Sequence, residues 1–481
     1  MGIGKQIANN VMWKYLELLS VSGVQLVSTF VLARFLTPED YGILGMVLVF
    51  TMLANVIVDS GFGQALIREK EVTREDYSTI FYFNVLVSLL LYILLYFASG
   101  SIARFYNEPL LNDVCKVTFL VLPLNALSLV QMTKMQRDIK FKKLCFVSLA
   151  AIVLSSLVAI YLAYVYRNVW ALVVQNILIY FFRMLFLWVT TDFIPVLKFS
   201  FTSLKNYFAF SKNLMLSAII GTIFNNIYSL VIGKAYSAAE LGFYSQADRI
   251  KNLGSHTTTQ VIQSVTYPFL SRINNETGDI KEGYKKIIAI TLIFVGTVMA
   301  LLMGCSPNLF ELLLGSPVWR VAGTYFLLMG INGILYPLHC INQNILMVKG
   351  DSRTILRLEI TRRVIMVIIL AVTVNFDIAV FVSGLTFYSV VLLFLNLYYC
   401  GRPINYTVME QLKDTMPIFI RLFIVVAVSM AAGYVANALP LILKVLASLV
   451  VGAVATILLF RTHPDFRQMI TLLRSMIGRK K

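Results

Sequence analysis

Residues 36–65 read LTPEDYGILGMVLVFTMLANVIVDSGFGQA. A short polar link, Leu36 to Gly42, opens into an apolar run that reaches Ala65, with Asn55 and Asp59 as its chief interruptions. A run of this length crosses a bilayer as a helix, which takes about 20 residues. Runs of the same kind recur from Val11 to Phe460. They predict an all-α polytopic membrane protein of about fourteen transmembrane helices.

The spans are expected at 11–33, 42–65, 79–101, 112–133, 144–165 and 168–190. Six more are expected at 210–233, 243–270, 287–306, 322–347, 361–376 and 378–399, and the last two at 416–436 and 439–460. This order divides the chain into an N-terminal six-helix bundle (1–192), a cytoplasmic linker (193–209) and a C-terminal six-helix bundle (210–400). Helices 13 and 14 (401–460) and a basic cytoplasmic tail (461–481) follow. The first run carries Lys14 and Glu17 and continues to Ala33, so it reads as a retained span rather than a cleaved signal peptide.

Composition excludes a water-soluble globule. Of 481 residues 58% are hydrophobic and only 14% charged, where soluble domains are about a quarter charged. The net charge of +17, from 41 Lys and Arg against 24 Asp and Glu, lies mostly between the apolar runs. It reads as a topology signal and an anionic-headgroup contact, not as a nucleic-acid footprint. With the N-terminus inside, clusters such as Lys134 to Lys143 and Lys349 to Arg363 fall in the cytoplasm. The outside receives only Arg34, Arg104, Lys116, Arg167, Lys234, Arg320 and Lys444. Both termini are therefore expected in the cytoplasm. The five cysteines form no CxxC, the three histidines no HExxH, and no phosphate-binding loop occurs. No metal, cofactor or nucleotide hydrolysis is expected.

Two internal echoes organise the chain. Leu36-Thr37-Pro38-Glu39-Asp40-Tyr41-Gly42 is matched by Tyr236-Ser237-Ala238-Ala239-Glu240-Leu241-Gly242. Leu122-Pro123-Leu124 is matched by Tyr336-Pro337-Leu338, each followed by a basic segment. The two bundles therefore read as copies of one six-helix unit. Because the number of spans per copy is even, the repeats are parallel, the symmetry of transporters that hold cargo between their halves.

Polar residues inside spans mark function, since charge in hydrocarbon is costly. Span one carries Lys14, Glu17 and Gln25, span two Asp59, and span seven Asn225 and Asn226. Span eight carries Asp248 and Lys251 beside a stripe of Arg249, Asn252, His256, Gln260 and Gln263, spaced to share one face of an α-helix. That stripe reads as one wall of an aqueous cavity and is the candidate substrate-binding surface, with Asn225, Asn226 and Gln25. Asp59, Glu17, Lys14 and Asp248 are candidates for ion coupling or gating. Lys14 and Glu17, three apart, can simply pair, and Asp59 can pair with Lys14, close a gate or carry a proton. His339, Asn342, Gln343 and Asn344 form a second patch, where amides can hold helices together.

The residues Trp13, Gln25, Leu32-Ala33-Arg34, Pro38-Glu39-Asp40-Tyr41-Gly42, Asp59-x-Gly61 and Ala65 resemble bacterial polysaccharide exporters. Leu241 to Ala247, with Arg249 just after, looks like the opening of that family's eighth span. These are flippases of the multidrug/oligosaccharidyl-lipid/polysaccharide superfamily, and the nearest variant is the colanic-acid type. The resemblance implies two six-helix bundles forming a V. It implies a cargo of undecaprenyl-diphosphate-linked glycan, moved from the cytoplasmic to the outer leaflet of the bacterial inner membrane. Because no phosphate-binding loop occurs, an H+ or Na+ gradient is expected as the source of energy, and glycan polymerase and export machinery are expected as partners. An Arg or Lys suits the diphosphate and amides suit the sugars. A peptidoglycan-precursor flippase, a cation-coupled multidrug antiporter and a non-transporting scaffold of a glycan-assembly complex are the alternatives; no enzymatic role is expected.

The orientation is directly testable. A cysteine placed at Thr37 is expected to react with an impermeant thiol reagent only from outside the cell; labelling only from the cytoplasmic side reverses the topology.

Overall fold

The computed structural model describes residues 3–276 and 279–467, and among them every regular element is a helix. In order these are α1 (Ile3–Leu32), α2 (Pro38–Asp59), α3 (Phe62–Arg68), α4 (Arg74–Tyr106), α5 (Leu111–Thr118), α6 (Val121–Arg137), α7 (Phe141–Tyr166), α8 (Trp170–Thr190) and α9 (Phe201–Ala235). There follow α10 (Ala238–Asn252), a π-helical turn (Leu253–Thr257), α11 (Thr258–Glu276), α12 (Lys281–Cys305), α13 (Asn308–Leu314), α14 (Arg320–Val348), α15 (Ser352–Thr373), α16 (Ile378–Gly401), α17 (Val408–Val435) and α18 (Leu441–Phe460). The chain forms two compact units, Met1–Gly242 and Phe243–Lys481.

Among the described residues, twelve helical segments are long and apolar enough to cross a membrane. The two expected spans that miss this measure are the eighth and the eleventh. Both are helical and of spanning length, but Asp248, Arg249 and Lys251 in α10, and Arg357, Glu359, Arg362 and Arg363 in α15, lower their hydropathy. Helix α9 begins at Phe201, within the stretch read as linker, because Ser200 caps it by accepting from Ser203 N. The remaining linker is pinned to α4: Val196 N donates to Ser78 Oγ at 2.9 Å and Ser200 N to Thr79 Oγ1 at 3.0 Å.

The units have the polarity of a membrane protein. Along α4, Leu86, Leu90, Leu94 and Phe97 are exposed, while Asn84, Ser88 and Ser99 are buried. Long aliphatic side chains thus face outward, and small polar ones allow helices to approach. In the first unit α7 packs on α1 and α8, α6 on α4 and α8, and α9 on α2, α3 and α4. In the second unit α14 packs on α12 and α16, and α12 also receives α17 and α18. Small residues make the last contact: Gly304 of α12 and Gly452 of α18 both abut Ser429 of α17.

The echoes noted in the sequence recur as local structure. Thr37 caps α2 by accepting from Asp40 N at 3.3 Å, and Ser237 accepts from Glu240 N at 3.2 Å at the start of α10. Helices α6 and α14 end alike. Lys140 N reaches Met135 O at 2.9 Å past left-handed Ile139, and Asp351 N reaches Leu346 O at 3.0 Å past left-handed Gly350.

The two echo glycines face each other's links. A Cβ on Gly42 would collide with the carbonyl of Ala238, and a Cβ on Gly242 with the carbonyl of Pro38. Residues 36–42 and 236–242, all in the first unit, therefore cross backbone to backbone in a reciprocal contact that only glycine permits.

Gly42→Ala and Gly242→Ala are each expected to cost roughly 1–3 kcal/mol, because a backbone carbonyl cannot swing aside. Gly23→Ala and Gly221→Ala, helical positions with open space around them, are expected to stabilise by roughly 0.5–1 kcal/mol. Thermal unfolding of the four purified variants checks both, and a harmless Gly42→Ala defeats the close-approach account.

Candidate functional site

The polar face of the second unit starts on α10. Asp248 there is fully engaged: Lys251 Nζ lies 2.6 Å from its Oδ1, and Asn252 Nδ2 donates to its Oδ2 at 2.7 Å. Lys251 is buried, and Gly333 of α14 makes room beside its stem. A buried lysine needs such a partner, since an unpaired charge in a low-dielectric interior is expensive.

The next turn is π-helical, and it breaks the spacing on which the expected stripe rests. An inserted residue rotates everything that follows it relative to an ideal α-helix. Ser255 Oγ donates to Gly333 O at 2.6 Å, and the His256 ring stacks on Tyr336 with centroids 3.7 Å apart. His256 is thus docked on α14 rather than simply stacked above Asn252. Arg249 is half-buried on α10; further along α11, Gln263 is half-buried and Gln260 exposed.

In the first unit Lys14 Nζ pairs with Glu17 Oε2 at 2.9 Å, and Ser148 Oγ donates to Glu17 Oε1 at 2.8 Å. Lys14 therefore pairs with its own-helix neighbour and not with Asp59. The Asp59 carboxylate, half-buried at the end of α2, accepts from the Gly63 backbone N–H. Gln25 and Asn225 are exposed, and Asn226 Nδ2 donates to Thr222 O within its own helix at 2.8 Å. Of the expected site residues, the structure brings Asp248 to Asn252 and Lys14 to Glu17.

Two interior networks show which partners the span amides and His339 find. In the first unit Arg183 Nη2 of α8 donates to Asn125 Oδ1 of α6 at 2.7 Å, and Asn125 Nδ2 donates to Asn55 Oδ1 of α2 at 2.8 Å. The guanidinium also lies over the Tyr180 ring, 4.6 Å from its centroid. One amide thereby joins three helices, the holding role expected of amides in spans. The available signal was a lone Arg183 inside an otherwise apolar run.

The second unit holds a similar relay. Arg362 of α15 pairs with Glu359 at 2.9 Å, and its Nη2 donates to Asn396 Oδ1 of α16 at 2.6 Å. The Asn396 Nδ2 then faces His339 Nδ1 of α14 at 2.8 Å and must be the donor. The neutral His339 ring accordingly carries its proton on Nε2, which is buried and without a partner among the described residues. Tyr284 donates to Asn342 Oδ1 nearby.

Chemically these groups bind, orient and hold charge. Among the described residues no group of three or more His, Cys, Asp or Glu is placed to hold a metal ion. Comparison with known proteins then decides the family. The model of a family described as "Polysaccharide biosynthesis protein" matches residues 31–322. The chain belongs to that polysaccharide biosynthesis family. Among its relatives, the teichuronic acid biosynthesis protein TuaB of Bacillus subtilis is 23% identical over 73% of each chain. The succinoglycan biosynthesis transport protein ExoT of Rhizobium meliloti is 22% identical over 68% of this chain and 67% of its own. The fold matches the lipid II flippase MurJ in an inward closed conformation, with a TM-score of 0.70 at 14% identity over 94% of this chain and 99% of that one. It also matches an inward-facing MATE transporter of the MOP superfamily, with a TM-score of 0.60 at 17% identity over 79% and 94%. At 14% and 17% identity these two likenesses are likenesses of fold.

Asn125→Ala removes the acceptor from Arg183 and the donor from Asn55, and is expected to cost roughly 1–3 kcal/mol. Asn125→Asp keeps an acceptor toward Arg183 and should retain more. Membrane abundance and the thermal midpoint of the purified variants distinguish them; wild-type values for both remove the network from the stability account.

Proposed function

We propose that this protein flips an undecaprenyl-diphosphate-linked oligosaccharide repeat unit from the cytoplasmic to the outer leaflet for surface-polysaccharide assembly. The family match over residues 31–322 carries this reading. Relatives named for teichuronic acid, succinoglycan and lipopolysaccharide biosynthesis support it. Movement is by alternating access of two parallel six-helix repeats, 1–192 and 210–400, within fourteen spans in all. The recurring caps and helix ends support the repeat. Both termini lie in the cytoplasm, and the membrane is the bacterial inner membrane. The fold likeness to a lipid II flippase is a likeness of fold alone, so a peptidoglycan precursor remains the second cargo to assay.

Arg249 is the residue assigned to the diphosphate, with Asn252, His256, Gln260, Gln263, Asn225, Asn226 and Gln25 toward the glycan. The engagement of Asp248 by Lys251 and Asn252 favours a role for Asp248 in shaping α10. Among the candidate carriers of coupling ion, Glu17 already holds Lys14 and Ser148. Asp59 has no ion-pair partner among the described residues and is the preferred site for H+ or Na+ coupling. Moving one charge through the potential supplies roughly 2.3 kcal/mol per 100 mV.

Leaflet-specific labelling of lipid-linked glycan, with and without the protein, tests the function. A charge-assisted hydrogen bond contributes roughly 1.5–3 kcal/mol, so Arg249→Ala should lower export about tenfold or more at normal membrane abundance, and Arg249→Lys less. Normal abundance with undiminished export in Arg249→Ala ends the diphosphate assignment.

A further inference from the structure

Away from α10, the first unit has a polar cavity of about 280 Å³ where the α3–α4 loop meets the start of α9. Its floor is Tyr207 and Ala65, both part of a buried cluster with Phe62, Leu66 and Phe81. Its loop wall is held in place, because Arg137 Nη2 donates to the backbone oxygens of Glu69 and Lys70 at 2.9 and 2.8 Å. The cavity is therefore preformed rather than a chance gap between mobile side chains.

The lining has a definite chemistry. Three carboxylates, Glu69, Glu71 and Asp76, border it together with the amide of Asn206 and the rings of Tyr207 and Phe210. The single cation, Arg68, lies over the Phe210 ring, 4.5 Å from its centroid. Asp76 uses one oxygen to cap α4 through Thr73 and also accepts from Ser203. Glu69 and Glu71 have no ion-pair partner among the described residues and are exposed. With three acids against one arginine, a diphosphate is repelled. Spread acceptors, one amide and aromatic faces instead suit a ring that presents hydroxyls at its edge and C–H bonds on its face. The volume is close to the roughly 300 Å³ at which ligand pockets begin.

We propose that this cavity is a saccharide subsite that receives the sugar end of the cargo, apart from the residue that takes the diphosphate. It rests on the flippase reading and adds to it a place where glycan identity is tested. Carboxylates and Asn206 accept and donate to ring hydroxyls, and Phe210, on the face that Arg68 does not cover, supplies the apolar platform. On the orientation proposed above, the α3–α4 loop, and the subsite with it, lies on the cytoplasmic side. A sugar can therefore occupy it before the lipid-linked unit crosses.

The test uses the full chain in phospholipid nanodiscs. The probe is the free oligosaccharide released by mild acid from the host's lipid-linked glycan pool, followed by saturation-transfer NMR and calorimetry. Wild-type protein is expected to bind it with transfer to ring C–H protons. Asn206→Ala combined with Phe210→Ala should weaken binding at least fivefold without changing the thermal midpoint, and Phe210→Trp should retain binding. Unchanged affinity in the double variant overturns the proposal. So does a wild-type protein that binds pentalysine at this site but not the oligosaccharide, which would make it a cation site. Failure of the flippase reading shows separately, as no leaflet transfer of intact lipid-linked glycan by the wild-type protein.

Discussion

Inside hydrocarbon there is no water to satisfy a backbone N–H or C=O, so each must find its partner within the chain. That constraint explains why every regular element described is a helix. It also explains how the helix ends are finished. Thr37, Thr73 and Thr407 each complete a reciprocal capping box with the acid three residues on, and α6 and α14 close on left-handed residues. Once backbone demand is met locally, side chains are free to reverse the usual rule, with leucines outward and serines and amides between helices.

The same low dielectric governs the charges that remain inside. Arg183, Lys251 and Arg362 are each tied to at least one oxygen acceptor within the bundle. The Arg183 and Arg362 links join different helices, whereas the Lys251 link to Asp248 lies within α10. Asn125 and Asn396 use both ends of the amide, accepting from a guanidinium and donating onward. Such relays couple the positions of several helices. By contrast, the cavity beside Tyr207 leaves Glu69 and Glu71 open to solvent.

The candidate site was partly legible in the sequence. A helix carrying Asp248, Arg249, Lys251, Asn252 and His256 announces itself, because no such run can face lipid. Its internal geometry was not legible. The π turn at Leu253–Thr257 depends on Ser255 reaching the Gly333 carbonyl and on His256 stacking over Tyr336. Those partners lie some eighty residues away on α14, and no local pattern points to them. Arg183 and Asn396 were visible as polar residues in apolar runs. Their pairing with Asn125 and with Arg362 and His339 was not, since a lone polar residue does not say which helix it faces.

By itself, the sequence determined the class of fold, the placing of the apolar helices and the existence of two echoing links. Hydrophobic length and charge alternation are properties of short segments read one at a time. Tertiary structure decided which residues meet. It showed why both links of the first echo end in glycine: they cross so closely that Gly42 and Gly242 each abut a carbonyl of the other link. It also decided that Lys14 pairs with Glu17 rather than with Asp59. Contacts of this kind depend on the packing of helices distant in sequence, and only the folded chain sets the distances between them.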